Sequence, residues 1–179
     1  DGLVNVVVDA TKYSNEAISS VAGTIEVGGG HIEAKGGAWA AIRAYGEFVS
    51  PNTSVVNVNV VKQTDKDGNV IKDANDSNVD LVAGAGNNKT NILGDFVTNG
   101  GMGTKGTISI GLNGADSYWE GNYADTKGYG VTKGMEGGIN VYMKDGAQWT
   151  GFTIGEVEVV MEGNDTTWYE IGKFCELLL

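Results

Sequence analysis

The chain has 179 residues, 29 of them glycine, with one proline (Pro51), one histidine (His31), one arginine (Arg43) and one cysteine (Cys175). With 23 acidic against 12 basic residues it carries a net charge of −11, and such a surface repels phosphate backbones and anionic headgroups, so nucleic-acid binding and membrane attachment are disfavoured from the outset. A lone cysteine permits no internal disulfide, and no apolar run approaches the roughly 20 residues needed to span a bilayer.

Short β-type runs follow one another from the start. Val4-Asn5-Val6-Val7-Val8 opens the chain, and Tyr13 to Val21 reads as a short turn or helix. Thr24-Ile25-Glu26-Val27 and His31-Ile32-Glu33-Ala34 come next, separated by three glycines. Val56-Asn57-Val58-Asn59-Val60 alternates with period two, which puts valines on one face of a strand and asparagines on the other. Residues 60 to 73 read as a protruding β-hairpin turning at Asp67-Gly68, a dipeptide suited to positive φ, with apolar pairs on both flanks. Val79 to Val82, Asn91 to Leu93 and Phe96 to Thr98 are further strands, and Gly, Asn and Asp clusters between the runs supply turn chemistry.

The second half contains a repeat. Ile108-Ser109-Ile110-Gly111-Leu112 leads to Trp119, Ile139-Asn140-Val141-Tyr142-Met143 leads to Trp149, and Val157-Glu158-Val159-Val160-Met161 leads to Trp168. Each unit is an alternating apolar strand, a glycine-containing turn and a tryptophan. One such strand has nothing to bury against, whereas stacked units bury their faces in one continuous core. The interval between the first two units holds Tyr123 to Gly130, a loop or an extra strand on one rung. Tyr169 to Leu179 is a short amphipathic helix or a last strand, and residues 169 to 179, with Cys175 as a small apolar member, are expected to cap the stack.

The stretch Gly138-Ile139-Asn140-Val141-Tyr142-Met143-Lys144-Asp145-Gly146-Ala147-Gln148-Trp149-Thr150-Gly151, and Ser117-Tyr118-Trp119-Glu120-Gly121-Asn122 beside it, resembles the rung of the passenger domain of Gram-negative autotransporter proteins of the adhesin type. The resemblance covers residues 105 to 170 well and the first half only in style. It implies a right-handed parallel β-helix exported through the envelope and displayed or released outside. The family's signal peptide and membrane β-barrel are not in the chain, which is the expectation for a passenger fragment.

Candidate chemistry is sparse. His31 follows a glycine turn and has no nucleophile elbow near it. Asp65-Lys66-Asp67-Gly68-Asn69 resembles the start of a calcium loop, but position twelve is Asp76 rather than glutamate and the intervening Val70-Ile71 reads as strand. The sequons at Asn52, Asn75, Asn88 and Asn164 read as turn residues. Trp119, Trp149 and Trp168 either pack between rungs or form a surface ladder on which glycans stack.

The expectation is therefore an all-β chain, a parallel β-solenoid spanning residues 1 to 179 with a protruding hairpin, without cofactor, metal or catalytic residues. Its expected role is adhesion or surface display of an extracellular or cell-surface protein, toward a host-cell or glycan ligand. A structural or self-associating stalk and a carbohydrate-active enzyme are the alternatives.

Overall fold

The computed structural model describes residues 3–10, 15–45, 53–74, 79–99, 105–126 and 137–170. Among them there is no helix, and nearly all strand pairing is parallel. Three large sheets are filled in rotation. The first pass runs through β1 (Val4–Ala10) in sheet A, β2 (Glu16–Ser20) in sheet B and β3 (Gly23–Val27) in sheet C. The second takes β4 (Gly30–Gly36), β5 (Ala40–Tyr45) and β6 (Ser54–Val58) through the same sheets. An insertion carries β7 (Val60–Lys62) and β8 (Val82–Ala85), which pair antiparallel. The third pass is β9 (Thr90–Leu93), β10 (Phe96–Asn99) and β11 (Gly106–Asn113); the fourth is β12 (Tyr118–Glu120), β13 (Tyr123–Asp125) and β14 (Gly138–Lys144). The fifth is β15 (Gln148–Gly151), β16 (Thr153–Ile154) and β17 (Glu156–Glu162), and β18 (Thr167–Glu170) returns to sheet A.

The repeat units align strand for strand. In sheet C, Ile25, Val56, Ile108, Ile139 and Val157 are successive register partners, and so are Val27, Val58, Ile110, Val141 and Val159. In sheet A the column is Val6, Ile32, Ile92, Trp119, Trp149 and Trp168. The first half, legible only by style, thus enters the same columns as the second. These inward rows meet in one apolar core with Ile42, Phe96 and Tyr123 of sheet B. Each strand alone buries one face; stacking in register removes both that face and its hydrogen-bonding edges from water.

Four expectations need correction or placement. Glu16–Ser20 is a strand rather than a helix, because β5 offers it a ladder with Ile18 opposite Ile42. Asn59 does not continue the alternation of β6: it sits at φ 50, in the left-handed region, and turns the chain out of sheet C. Tyr123–Asp125, left open as loop or strand, is β13 of sheet B. Tyr169 belongs to β18, while the rest of the proposed capping segment, including Cys175, lies outside the described residues.

The hairpin at 60 to 73 differs most. Its tip is as expected: Thr64 bridges Val70, Gly68 has φ 85, and the Asp65 carboxylate accepts from the Asp67 and Asn69 amides. Its legs do not pair symmetrically. Val60 faces Ala85 and Val61 faces Gly84, and a further leg enters between, with Lys72 bridging Asp80 and the Leu81 amide donating to Ile71. Residues 60–74 and 79–85 therefore form an arm. Its tip is exposed, but its base folds back along the outer face of sheet C instead of protruding whole.

Candidate functional site

The outer face of sheet C is polar in its middle. Asn57, Ser109, Asn140 and Glu158 are successive register partners there, continuing a row that starts at Glu26. Beside this row run Val55, Thr107, Gly138 and Glu156 on one flank and Gly111, Tyr142 and Val160 on the other. Period-two alternation fixes the placement, since Ile108, Ile110, Ile139 and Val141 between them are committed to the core. Strand β6 is buried along its whole length, with core on one face and the arm on the other.

Gly111 decides where the arm sits. A Cβ there would lie 2.0 Å from the Asn59 carbonyl oxygen and 2.8 Å from the Ala85 Cα. Only a residue without a side chain lets the base of the arm press onto the sheet. Asn59 completes the corner: its Nδ2 donates to the carbonyls of Asn88 at 2.7 Å and Gly111 at 2.9 Å, and its Oδ1 accepts from the Asn88 amide at 3.1 Å.

An ion-pair latch holds the arm down. Lys62 Nζ lies 2.8 Å from Asp80 Oδ2 within the arm and 2.9 Å from Glu26 Oε1 on β3, and Lys72 reaches the other Asp80 oxygen at 3.3 Å. Asn57 Nδ2 donates to the same Glu26 oxygen at 3.0 Å. Hydrogen bonding to Lys62 holds the Asp80 carboxyl below the ordinary carboxylate range, and hydrogen bonds to Asp80 and then Glu26 push the Lys62 ammonium above its ordinary value.

Between arm and sheet lies a cleft of about 400 Å³. Its floor is Asn57, Thr107, Ser109 and Asn140, its roof is Gln63, Asp73 and Val79 to Val82, and Glu156 and Glu158 stand at one end. On the far side of Tyr142 a second space of about 200 Å³ is lined by Val61, Ala83, Ala85 and Val160, with Lys144 and Glu162 at its rim. Tyr142 borders both. Burial, and next the charge of Glu158, raise its phenol above the ordinary value, so at neutral pH it stays an O–H donor. Asn140 Nδ2 donates to Ser109 Oγ at 3.1 Å, tying the two strands of the floor together. The cleft combines amides and hydroxyls with the aliphatic side chains of Val79, Leu81 and Val82, and has carboxylates at its edge.

The tryptophans do not form a surface ladder. Trp119 and Trp149 are 0% exposed and Trp168 is half-buried. They stack face to face inside, in line with Phe96: centroid separations are 4.0 Å from Phe96 to Trp119 and 4.4 Å for each later step. No ligand can lie on Trp119 or Trp149 while the passes are stacked. The exposed tryptophan is Trp39, whose ring flanks Arg43 together with Tyr45, while Arg43 pairs with Glu16 at 2.9 Å.

His31 lies within β4, half-buried, 3.2 Å from Glu33 Oε2. The Asp65 carboxylate is occupied by the arm's own tip. Asn88 donates to the Gly28 carbonyl, and Asn164 lies in an exposed turn; Asn52 and Asn75 fall outside the described residues. Among the described residues no three acidic, histidine or cysteine side chains converge as metal ligands. The sequence reading passed over Lys62, Asp80, Gly111 and Tyr142. The one available signal was the polar residue recurring between apolar neighbours at Asn57, Ser109 and Asn140.

A comparison of the chain with protein-family models, with curated proteins and with solved structures finds no match.

Proposed function

We propose that the successive passes are coils of a parallel β-solenoid, a right-handed β-helix, from an exported passenger-type protein displayed at or released from a bacterial surface, and that it serves adhesion through the cleft beneath the arm. The supporting observation is the way the arm is inserted. It leaves the chain after β6 and returns before β9, yet Val56 and Ile108 on either side remain direct register partners. A long insertion that leaves the stack undisturbed, and instead roofs a polar strip of it, builds a recessed surface on a rigid scaffold. The net charge of −11 favours uncharged or cationic partners.

The test is binding of the purified chain to immobilised glycans and to cultured cells, with Asn140→Ala and Tyr142→Ala beside the wild type. Binding that both changes weaken, with unaltered circular dichroism, supports the reading. Binding indifferent to both removes the cleft from it.

The aromatic stack favours a second reading, a structural or self-associating stalk, because face-to-face rings running along the stack stiffen it. Concentration-dependent self-association without a heterologous ligand, unaffected by the cleft changes, supports that reading.

A further inference from the structure

We propose that the open edge of β17 receives an extended strand from a partner protein, a segment that alternates basic and apolar residues and adds parallel to β17. The edge is a separate surface from the cleft.

Three observations carry it. The first is an unfinished core column. β17 pairs with β14 and is the outermost strand of sheet C among the described residues. Met143 is 1% exposed, whereas its register partner Met161 is 51% exposed. Ile139 and Val141 are buried, and their partners Val157 and Val159 are only half-buried. The inward residues of β14 have a strand on either side; those of β17 lack the second one.

The second is the backbone. The Glu162 carbonyl accepts from the Asp145 amide and so points to the β14 side. Backbone groups alternate in direction along a strand, so those of Val157, Val159 and Met161 point to the open edge. Seven residues with three such positions make a template for strand addition. β16 and β18 are the outer strands of the other two sheets at this end of the stack, but they have two and four residues.

The third is charge. The outward row of β17 is Glu156, Glu158, Val160 and Glu162, and its three glutamates are exposed. Among the described residues none of them forms an ion pair. At the other end of the stack Glu16 is matched by Arg43 and Glu26 by Lys62. A second copy is a poor occupant. Its β3, continuing the column from Ile25, would set Glu26 against Glu158, and its β17 would bring three more glutamates. Like charges directly opposite each other are destabilising, and charged edges resist self-pairing for that reason. A strand with lysine or arginine opposite the glutamates and apolar residues opposite Val157, Val159 and Met161 satisfies both faces.

The experiment is amide hydrogen exchange by NMR on the intact chain with a synthetic heptapeptide. It has lysine at the first, third and seventh positions, valine at the second, fourth and sixth, and threonine at the fifth. The controls are the same residues in scrambled order and the same pattern with glutamate for lysine. The expected result is slower exchange at Val157, Val159 and Met161, unchanged exchange at Glu158 and Val160, and a preference of about tenfold over both controls. Combined Glu156→Lys, Glu158→Lys and Glu162→Lys changes should transfer the preference to the glutamate peptide, with unchanged thermal unfolding. Glu158→Gln, the milder variant, should weaken binding of the lysine peptide. Equal binding of the scrambled peptide, no binding, binding without protection at the three edge amides, or indifference to Glu158→Gln overturns the proposal. So does a free chain whose edge amides already exchange as slowly as Val160, which assigns the edge to the chain itself. Protection that rises with chain concentration in the absence of peptide overturns it in favour of a second copy.

Discussion

Trp149 lies on Trp119 with ring centroids 4.4 Å apart and planes 11° from parallel, and its indole N–H donates to the carbonyl of Gly121, two residues beyond Trp119. The relationship repeats on either side, from Trp119 to Gly94 and from Trp168 to Gly151. Replacing Trp149 by alanine removes a fully buried ring from both neighbours, and a loss of about 3–5 kcal/mol is expected in denaturant unfolding. Trp149→Phe keeps a ring in the column but leaves the Gly121 carbonyl without its donor, and should cost less. An equal loss for both would show that the stack itself contributes little.

The glycines two residues after Trp119 and Trp149 are fixed by the preceding pass. A Cβ on Gly121 would come within 2.0 Å of the Gly94 carbonyl oxygen, and one on Gly151 within 1.8 Å of the Gly121 oxygen. Both obstacles are backbone and cannot turn aside. Gly121→Ala is therefore expected to lower the unfolding midpoint by an amount equivalent to about 1–3 kcal/mol or more. Gly114→Ala is the control for added bulk alone: its Cβ would meet nothing within 4 Å, although its φ of 86 carries backbone strain of its own. Gly121→Ala should be the worse of the two.

Asn59 joins an uncommon backbone angle to three side-chain hydrogen bonds. Asn59→Ala strands the Asn88 amide and the Gly111 carbonyl and adds left-handed strain, so a loss of roughly 1–3 kcal/mol is expected. Asn59→Gly relieves the strain and leaves the same bonds broken. If the glycine variant is as stable as the wild type, the side-chain bonds contribute nothing.

The arm latch should respond to pH at both extremes. Asp80 is held below the ordinary carboxylate value, so its contribution is present above that value and is lost as pH falls through the depressed one. Lys62 is raised, so its contribution is present below the ordinary lysine value and is lost only as pH rises beyond it. Amide exchange at Gln63, Ile71 and Leu81, corrected for intrinsic rates, should show constant protection between those limits and faster opening outside them. Asp80→Asn should abolish the acid limb. An unchanged acid limb in that variant would assign it to other carboxylates.

The tryptophan columns were legible because their cause is local: each unit repeats strand, turn and ring at nearly constant spacing, and register then follows. Glu16–Ser20 was not. Glu-Ala-Ile-Ser-Ser has the propensity of a helix start, and β5 alone, arriving 24 residues later at Ala40, makes it a strand. The partner of β7 was hidden for the same reason, since Val82-Ala83-Gly84-Ala85 carries almost no alternation and gains its identity from Val60 and Val61. The cleft needed both results. Asn57, Ser109 and Asn140 come together only once the passes are stacked, and they become a floor only once the arm has folded back over them.

The indole-to-glycine bonds all point the same way. Every donor belongs to the later pass and every acceptor to the earlier one. A finished pass therefore presents a ready carbonyl and a flat ring to the pass that follows it. Such a column can be laid down in order as the chain emerges from its N-terminal end, each turn templated by the one already in place.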